Sequence, residues 1–504
     1  VVSNDATTVS SPSVSASMSR KAERATWRMS RSERLRYYLS GIGWTTGASI
    51  MAFFLSIYLM FQGLSLAAVG TVILIVKIID AVDDLAIGYF VDRINPAQLK
   101  FLRKLAGSGK YLPWYRVTFF LLPLATVLFF AMPSNMPEGA KLAWFAVAYL
   151  LFDLAGTLSQ LPMYTLVMTL TDRVSERDNL LKMRGVLLLL VGVSVGLVWQ
   201  FMISEFVGLP ISAVAIGSAI IALVLMMPLT RKVVEHNVEL KNTDETAPPT
   251  YTFREMLKAV RTNKFMLILL ASDVVTGVSL TILTTSIFAA FFLFNNSMVL
   301  TLPVLIAFIP GLILQFFADR IAHRMGKRNA IVVFALLSAA CSLALFFVGP
   351  GNLFLVILFM TIGAIPNALH TIMRTFLIPD TIDYTRYKTG QDCAGIFYAL
   401  DGFVQKATAG VASAIAFFIL GLGGWVTIQA DSFAELQAEN VTQPDSALAA
   451  LWITVTLVPA LGALACAGVL SLYRLRDADA ALMAKCNAGE ITRDECEAQI
   501  SRVY

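Results

Sequence analysis

Twelve runs of about 20 or more largely apolar residues, joined mostly by short polar loops, leave this chain few folds to choose from. A helix needs about 20 apolar residues to cross a hydrocarbon core roughly 30 Å thick. The runs cover approximately 40–61, 66–91, 114–133, 140–169, 183–206, 209–229, 263–294, 298–317, 328–348, 352–377, 393–423 and 449–472. Charged residues make up 14% and mean hydropathy is +0.71, against about 25% charged residues in a soluble domain. The expected fold class is an all-α integral membrane protein with twelve transmembrane helices in two six-helix halves.

Charge sets the expected orientation. Of 39 Lys and Arg residues, 35 fall in the two terminal segments or in the loops and span ends on their side, and only Lys141 falls on the other. The remaining three, Lys77, Arg374 and Lys406, lie inside spans. The positive-inside rule then puts both termini in the cytoplasm of a multi-pass cell-membrane protein. The net charge of +5 therefore reports topology, and basic residues scattered over short loops argue against a nucleic-acid partner. The five cysteines show neither metal-ligand spacing nor a disulfide framework. Residues 1–38 read as a basic cytoplasmic segment, disordered to about residue 30, with no signal-peptide core; Met18 is a candidate initiator because residue 1 is Val. The halves are 39–229 and 263–472, separated by a polar cytoplasmic linker at 230–262 and followed by a cytoplasmic tail at 473–504.

An internal repeat supports the division. "GYFVDRI" follows the second run and "QFFADRIAHRMGKR" closes the eighth, so Asp92-Arg93 and Asp319-Arg320 stand 227 residues apart, each followed by Gly-Lys. "GSGK" (107–110) only imitates a phosphate-binding loop, because Lys104 and Tyr111 occupy places that need Gly and Ser or Thr. No nucleophile–base pair or resident metal set suggests an enzyme, and no cofactor is expected beyond a coupling ion, Na⁺ or H⁺.

The second run, "IIDAVDDLAIGYFVDR", places Asp80, Asp83 and Asp84 near mid-span, where each carboxylate costs roughly 2.5–3.5 kcal/mol on insertion scales. Lys77, Asp80 and Asp84 share a helix face, so a structural Lys–Asp pair is one reading. Clustered carboxylates also suit Na⁺, which wants oxygen ligands, or a proton held by like-charge repulsion. In the fourth run Asp153, Thr157, Gln160 and Tyr164 form a second polar stripe; in the tenth Asn367, His370, Thr371 and Arg374 form a third. Asp401 and Lys406 lie in the eleventh, and Asp273 in the seventh has no assigned task.

The repeated Asp-Arg…Gly-Lys pattern resembles the loop motif of the major facilitator superfamily. Four blocks resemble the glycoside–pentoside–hexuronide:cation symporters within it. They are "GLSLAAVGTVILIVKIIDAVDDLAIGYFVD" (63–92), "GKYLPWYRV" (109–117), "LPMYTLVMTLTDRVSERDNLLKMR" (161–184) and "IPDTIDYTRYKTGQDCAGIFYALDGFVQKATAG" (378–410). The resemblance implies the major facilitator fold, a cation site at Asp80, Asp83, Asp84 and Thr157, and sugar-site positions at Gln160, Tyr164, Arg184 and Lys406. It also exposes departures. Trp44 and Gln160 stand where melibiose-type members have Asp, Thr371 replaces a Trp, and Leu85 replaces a Pro.

The function expected is symport of a small polar solute, most simply a glycoside or related sugar, with a monovalent cation. Rocking of the halves would expose a midplane site alternately to each side. Trp44, Gln160, Tyr164, Arg184, Thr371, Arg374 and Lys406 would face the solute, and Asp92-Arg93 and Asp319-Arg320 would latch the cytoplasmic side. The chain would act as a monomer, with the solute, the cation and the lipid bilayer as its partners. An amphipathic, lysophospholipid-like solute is the alternative on the same fold, and a non-transporting membrane sensor a more distant one. The loop 425–448 has acidic residues but no Lys or Arg. A cysteine at Asn440 should therefore react with an impermeant thiol reagent on intact cells and one at Glu245 should not; the opposite pattern inverts the topology.

Overall fold

The computed structural model describes residues 27–502 except 94–95, 97–99, 101, 103, 105–106, 108, 110, 172, 232, 236–260, 262 and 391–393; side chains at 81–93, 174, 368, 394–396 and 399 also fall outside the description. Among the described residues there is no strand, only one isolated antiparallel bridge between Gln62 and Gln429. Among the described residues, eleven helical segments are long and apolar enough to cross a bilayer. The helix Leu66–Arg93, 28 residues long, is long enough as well but carries Lys77 and the aspartate cluster.

Two spans are broken beside a proline, whereas Pro162, Pro310, Pro366 and Pro379 sit inside unbroken helices. The third span divides into Leu112–Thr118 and Leu121–Phe130, and the twelfth into Asp445–Val455 and Leu457–Ser471. Pro123 and Pro459 lie just beyond those breaks, each unable to bond the carbonyl four residues earlier. The seventh span runs as Lys264–Gly277, a 3-10 turn at Val278–Leu280, then Thr281–Phe294.

Two ends differ from expectation. The first span starts at Arg31 rather than 40, because Ser30 and Glu33 close a reciprocal capping box. Ahead of it, the amides of Arg28 and Met29 donate to buried Glu176, so this stretch is held against the fourth loop. The tenth span continues past 377 to Thr389. Its 37 residues reach about 55 Å, well beyond the hydrocarbon core. On that extension Asp380 holds Lys327 Nζ at 2.7 and 2.8 Å, and Asp383 accepts from Asn487 of the tail. Asp477 in turn accepts from the Lys327 amide, which docks the tail helix Asp477–Asn487 under the second half.

The two ends of the bundle are packed differently. Away from the termini one hydrophobic cluster joins both halves. Phe61 of the first half meets Phe288 and Phe433 of the second, with ring centroids 5.6 and 5.1 Å away. The Gly63 amide donates to the Ile428 carbonyl, the Ala430 amide to Phe61 and the Ile211 amide to Asp431. On the terminal side the buried residues form two separate clusters, one around Tyr37, Tyr115 and Leu166 and one around Phe265, Leu377 and Tyr473. Among the described residues, the halves share one core at the end away from the termini and keep separate cores at the other.

A polar latch reinforces the seal. Glu205 accepts from the Ser297 amide at 3.0 Å and from its hydroxyl at 2.6 Å, while Gln200 donates to the Ser297 carbonyl and the Thr301 hydroxyl. Each such bond contributes on the order of 1 kcal/mol, and about 1.5–3 when one partner is charged. The double change Gln200→Ala, Glu205→Ala should favour opening of this end roughly tenfold or more. Spin labels at Ser134 and Gln437, in a cysteine-free background, should then show a longer-distance population. An unchanged distribution would mean that the aromatic cluster alone holds the seal.

Candidate functional site

A cavity of about 390 Å³ lies between the halves, lined among others by Trp44, Lys77, Asp153, Thr157, Gln160 and Lys406. Asp80, 1% exposed, sits at its edge with both carboxylate oxygens engaged. Oδ1 accepts from Lys406 Nζ at 2.6 Å and Oδ2 from Lys77 Nζ at 3.2 Å. The buried Tyr149 hydroxyl also donates to Oδ2, at 3.4 Å, and the Lys77 ammonium lies 4.7 Å from the Tyr149 ring centroid. Lys406 Nζ stands 3.8 Å from Asp153 Oδ1. Two ammonium groups thus face two carboxylates, and the shortest of these contacts crosses between the halves.

Small residues make that contact possible. A Cβ on Gly410 would stand 2.5 Å from Lys77 Cβ, so the eleventh span can lie directly against the second only because Gly410 has none. Lys406 is one turn from Gly410 and is thereby delivered to Asp80. A Cβ on Gly277 would lie 1.5 Å from Thr408 Cγ2, which fixes the seventh span equally close to the other side of the eleventh.

Several of the residues expected at the site do meet. Asp80, Thr157, Trp44, Gln160 and Lys406 gather in and beside one cavity. Others stand apart from that lining. Tyr164 stacks under Arg184, whose guanidinium carbon is 4.0 Å from its ring centroid, and buried Arg184 also donates to the Tyr37 hydroxyl. Thr371 is exposed and turns its hydroxyl to the Asn367 carbonyl of its own helix. Arg374 is held inside the second half by a two-pronged pair with Asp273, 2.5 Å on each prong, and by Asp401. Gln405 donates to the other oxygen of Asp401. The side chains of Asp83, Asp84, Asp92 and Arg93 lie outside the described residues. Asp319 and Arg320 are exposed, with Arg320 over the Phe317 ring.

Sequence reasoning missed Tyr149, although it continues the Asp153–Thr157–Gln160 stripe by one turn. It also left Asp273 without a partner, because nothing local identifies an arginine 101 residues away.

The family described as MFS/sugar transport protein matches residues 37–477, and the chain belongs to that family. It is 27% identical over 427 residues to the isoprimeverose transporter of Lactiplantibacillus pentosus, covering 81% of this chain and 83% of that protein. It is 25% identical over 388 residues to a glucuronide carrier protein homolog of Escherichia coli (strain K12), covering 75% and 80%. The crystal structure of a D-xylose-proton symporter superposes with a TM-score of 0.58 at 12% identity, over 88% of this chain and 98% of that one. The chain is a multi-pass membrane transporter of the major facilitator type, not an enzyme.

The Arg374 cluster makes a stability prediction. Its three side chains are 7–12% exposed, so removing the cation leaves two carboxylates in a poorly hydrated interior, a change that costs about 3–5 kcal/mol. Arg374→Met should lower the unfolding temperature of the detergent-solubilised protein strongly. Adding Asp273→Asn and Asp401→Asn should recover much of that loss. A melting curve unmoved by Arg374→Met would show the cluster to be hydrated instead.

Proposed function

We propose that this family member is a cation-coupled symporter of a small polar solute, a glycoside or related sugar, with Asp80 at the coupling centre. The observation that carries the reading is the Asp80–Lys406 pair: a buried carboxylate beside the cavity, neutralised by a lysine from the opposite half. Na⁺ or a proton arriving at Asp80 competes with Lys406 for the same oxygen. Asp153 and Thr157 offer further oxygens, and Asp83 and Asp84 follow within one turn of the same helix. Once displaced, the Lys406 ammonium is free to face the solute. Cation then favours solute and, by linkage, solute favours cation.

The cavity suits a sugar in size and chemistry. Small-molecule pockets commonly hold about 300–1,000 Å³. Trp44 presents a ring for the apolar CH face of a pyranose, and its indole N–H has no acceptor among the described residues. Gln160 adds an amide for a hydroxyl. Two relatives, an isoprimeverose transporter and a glucuronide carrier protein homolog, support the same class. With the basic loops in the cytoplasm, the sealed end faces outward and the structure is the inward-facing member of the cycle.

Uptake of labelled glycosides into membrane vesicles, with a Na⁺ gradient, a proton gradient or neither, tests the reading. Wild-type protein should accumulate a solute under one gradient only. Asp80→Asn should abolish accumulation while leaving the protein inserted, and Lys406→Gln should weaken it far more than any change of a loop lysine. Wild-type accumulation in Asp80→Asn would sink the coupling role. Rescue of Lys406→Gln by Asp401→Asn would tie Lys406 to Asp401 instead and remove it from the site.

A further inference from the structure

A second cavity, of about 240 Å³, lies inside the C-terminal half among spans seven, eight, nine, ten and twelve. Leu283 lines this cavity and the one between the halves alike. On the seventh span Thr276, Ser279 and Ser286 face the second cavity, whereas Leu280 and Thr284 face the first, and Leu283 stands at the seam. Its side chain is 73% exposed, so little packing holds it in place. From this shared wall we propose that the solute site is bipartite. The sugar ring occupies the cavity at Trp44, Gln160 and Lys406, and an apolar substituent passes Leu283 into the second cavity. The preferred solutes are therefore glycosides carrying an aryl or alkyl aglycone. The proposal rests on the sugar-transport reading and narrows it.

The chemistry of the second cavity fits such a group. Phe334, Leu345, Phe359 and Met360 supply apolar walls. Two of the hydroxyls there are already satisfied: Ser279 donates to the Pro459 carbonyl and Ser338 to the Gly363 carbonyl. Asn367 is exposed within the span, and its carboxamide makes no hydrogen bond among the described residues, so it can meet one polar substituent on the incoming group. An apolar cavity of roughly 150 Å³ is known to take up benzene, so this one has room for a substituted ring. Protein interiors otherwise close such space, which favours an occupant over a standing void.

The test is binding to the purified full-length protein, measured calorimetrically with matched methyl and phenyl glycosides of glucose, galactose, xylose and glucuronic acid. For any sugar that binds, the phenyl member should bind about tenfold more tightly or better, the scale of burying one aromatic ring. Ala364→Phe fills the second cavity without touching the first; it should reduce the phenyl glycoside to the affinity of its methyl counterpart and leave the methyl glycoside unchanged. Ser342→Leu is a milder filling should that variant fold poorly. Equal affinities in the wild type, or a phenyl advantage surviving both fillings, would overturn the bipartite site while leaving sugar transport standing. Binding of neither series would overturn the sugar reading underneath it. Saturable binding of a lysophospholipid, lost in Ala364→Phe and unaffected by glycosides, would assign the second cavity to an acyl chain and overturn the aglycone.

Discussion

Asp80 carries a charge at a depth where charge is expensive, and two lysines answer it, one from each half. Lys77 is local, three residues earlier on the same helix. Lys406 is 326 residues away and reaches Asp80 only because Gly410 lets the eleventh span lie against the second. A buried ion pair of this kind is weak evidence for stability, since desolvation offsets most of its Coulomb gain. It is better understood as a condition: the halves can stay this close beside Asp80 only while something cationic satisfies its outer oxygen.

The unequal packing of the two ends gives that condition its consequence. Aromatic contacts, loop amides and the Glu205 latch close one end, whereas the terminal side has a separate core in each half. Reversing the arrangement means giving up specific hydrogen bonds and ring contacts at one end and making others at the opposite end. A ligand biases such an equilibrium only by binding the two states unequally. In the proposed cycle the cation does this by replacing Lys406, because the sealed arrangement shown here already contains an internal cation on Asp80.

Much of this was legible in the sequence, for identifiable reasons. Span positions follow from runs of apolar residues; the breaks in spans three and twelve do not, because Pro162, Pro310, Pro366 and Pro379 sit inside unbroken helices while Pro123 and Pro459 lie beside breaks. The stripe of Asp153, Thr157, Gln160 and Tyr164 follows from helical spacing alone; the structure puts the first three on one cavity and Tyr164 against Arg184. Pairing was not legible. Asp401 lies five residues from Lys406, yet its partners are Arg374 and Gln405, while Lys406 meets Asp80. Nothing in local spacing distinguishes those outcomes, because they depend on which helices become neighbours. The extension of the tenth span was missed for a similar reason: its last turns are polar, and they are held by Lys327 and the tail rather than by lipid. The Glu205–Ser297 latch uses ordinary polar residues at loop ends, where composition carries no signal.

The eleventh span gathers these features into one mechanical element. Its Asp401 is tied through Arg374 to Asp273, wholly within the second half, and Gly277 presses the seventh span against Thr408. Five residues beyond Asp401, Lys406 leaves that half and binds the first. A helix anchored so firmly on one side moves with the half it is anchored to. The contact that must yield when the halves rock is then Lys406–Asp80, not Arg374–Asp401. In the proposed cycle the internal arginine keeps its carboxylates in both states, and the lysine is the cation that is exchanged. That division explains why a chain that excludes charge almost everywhere else in its membrane interior keeps both clusters, one on each side of a single helix turn or so.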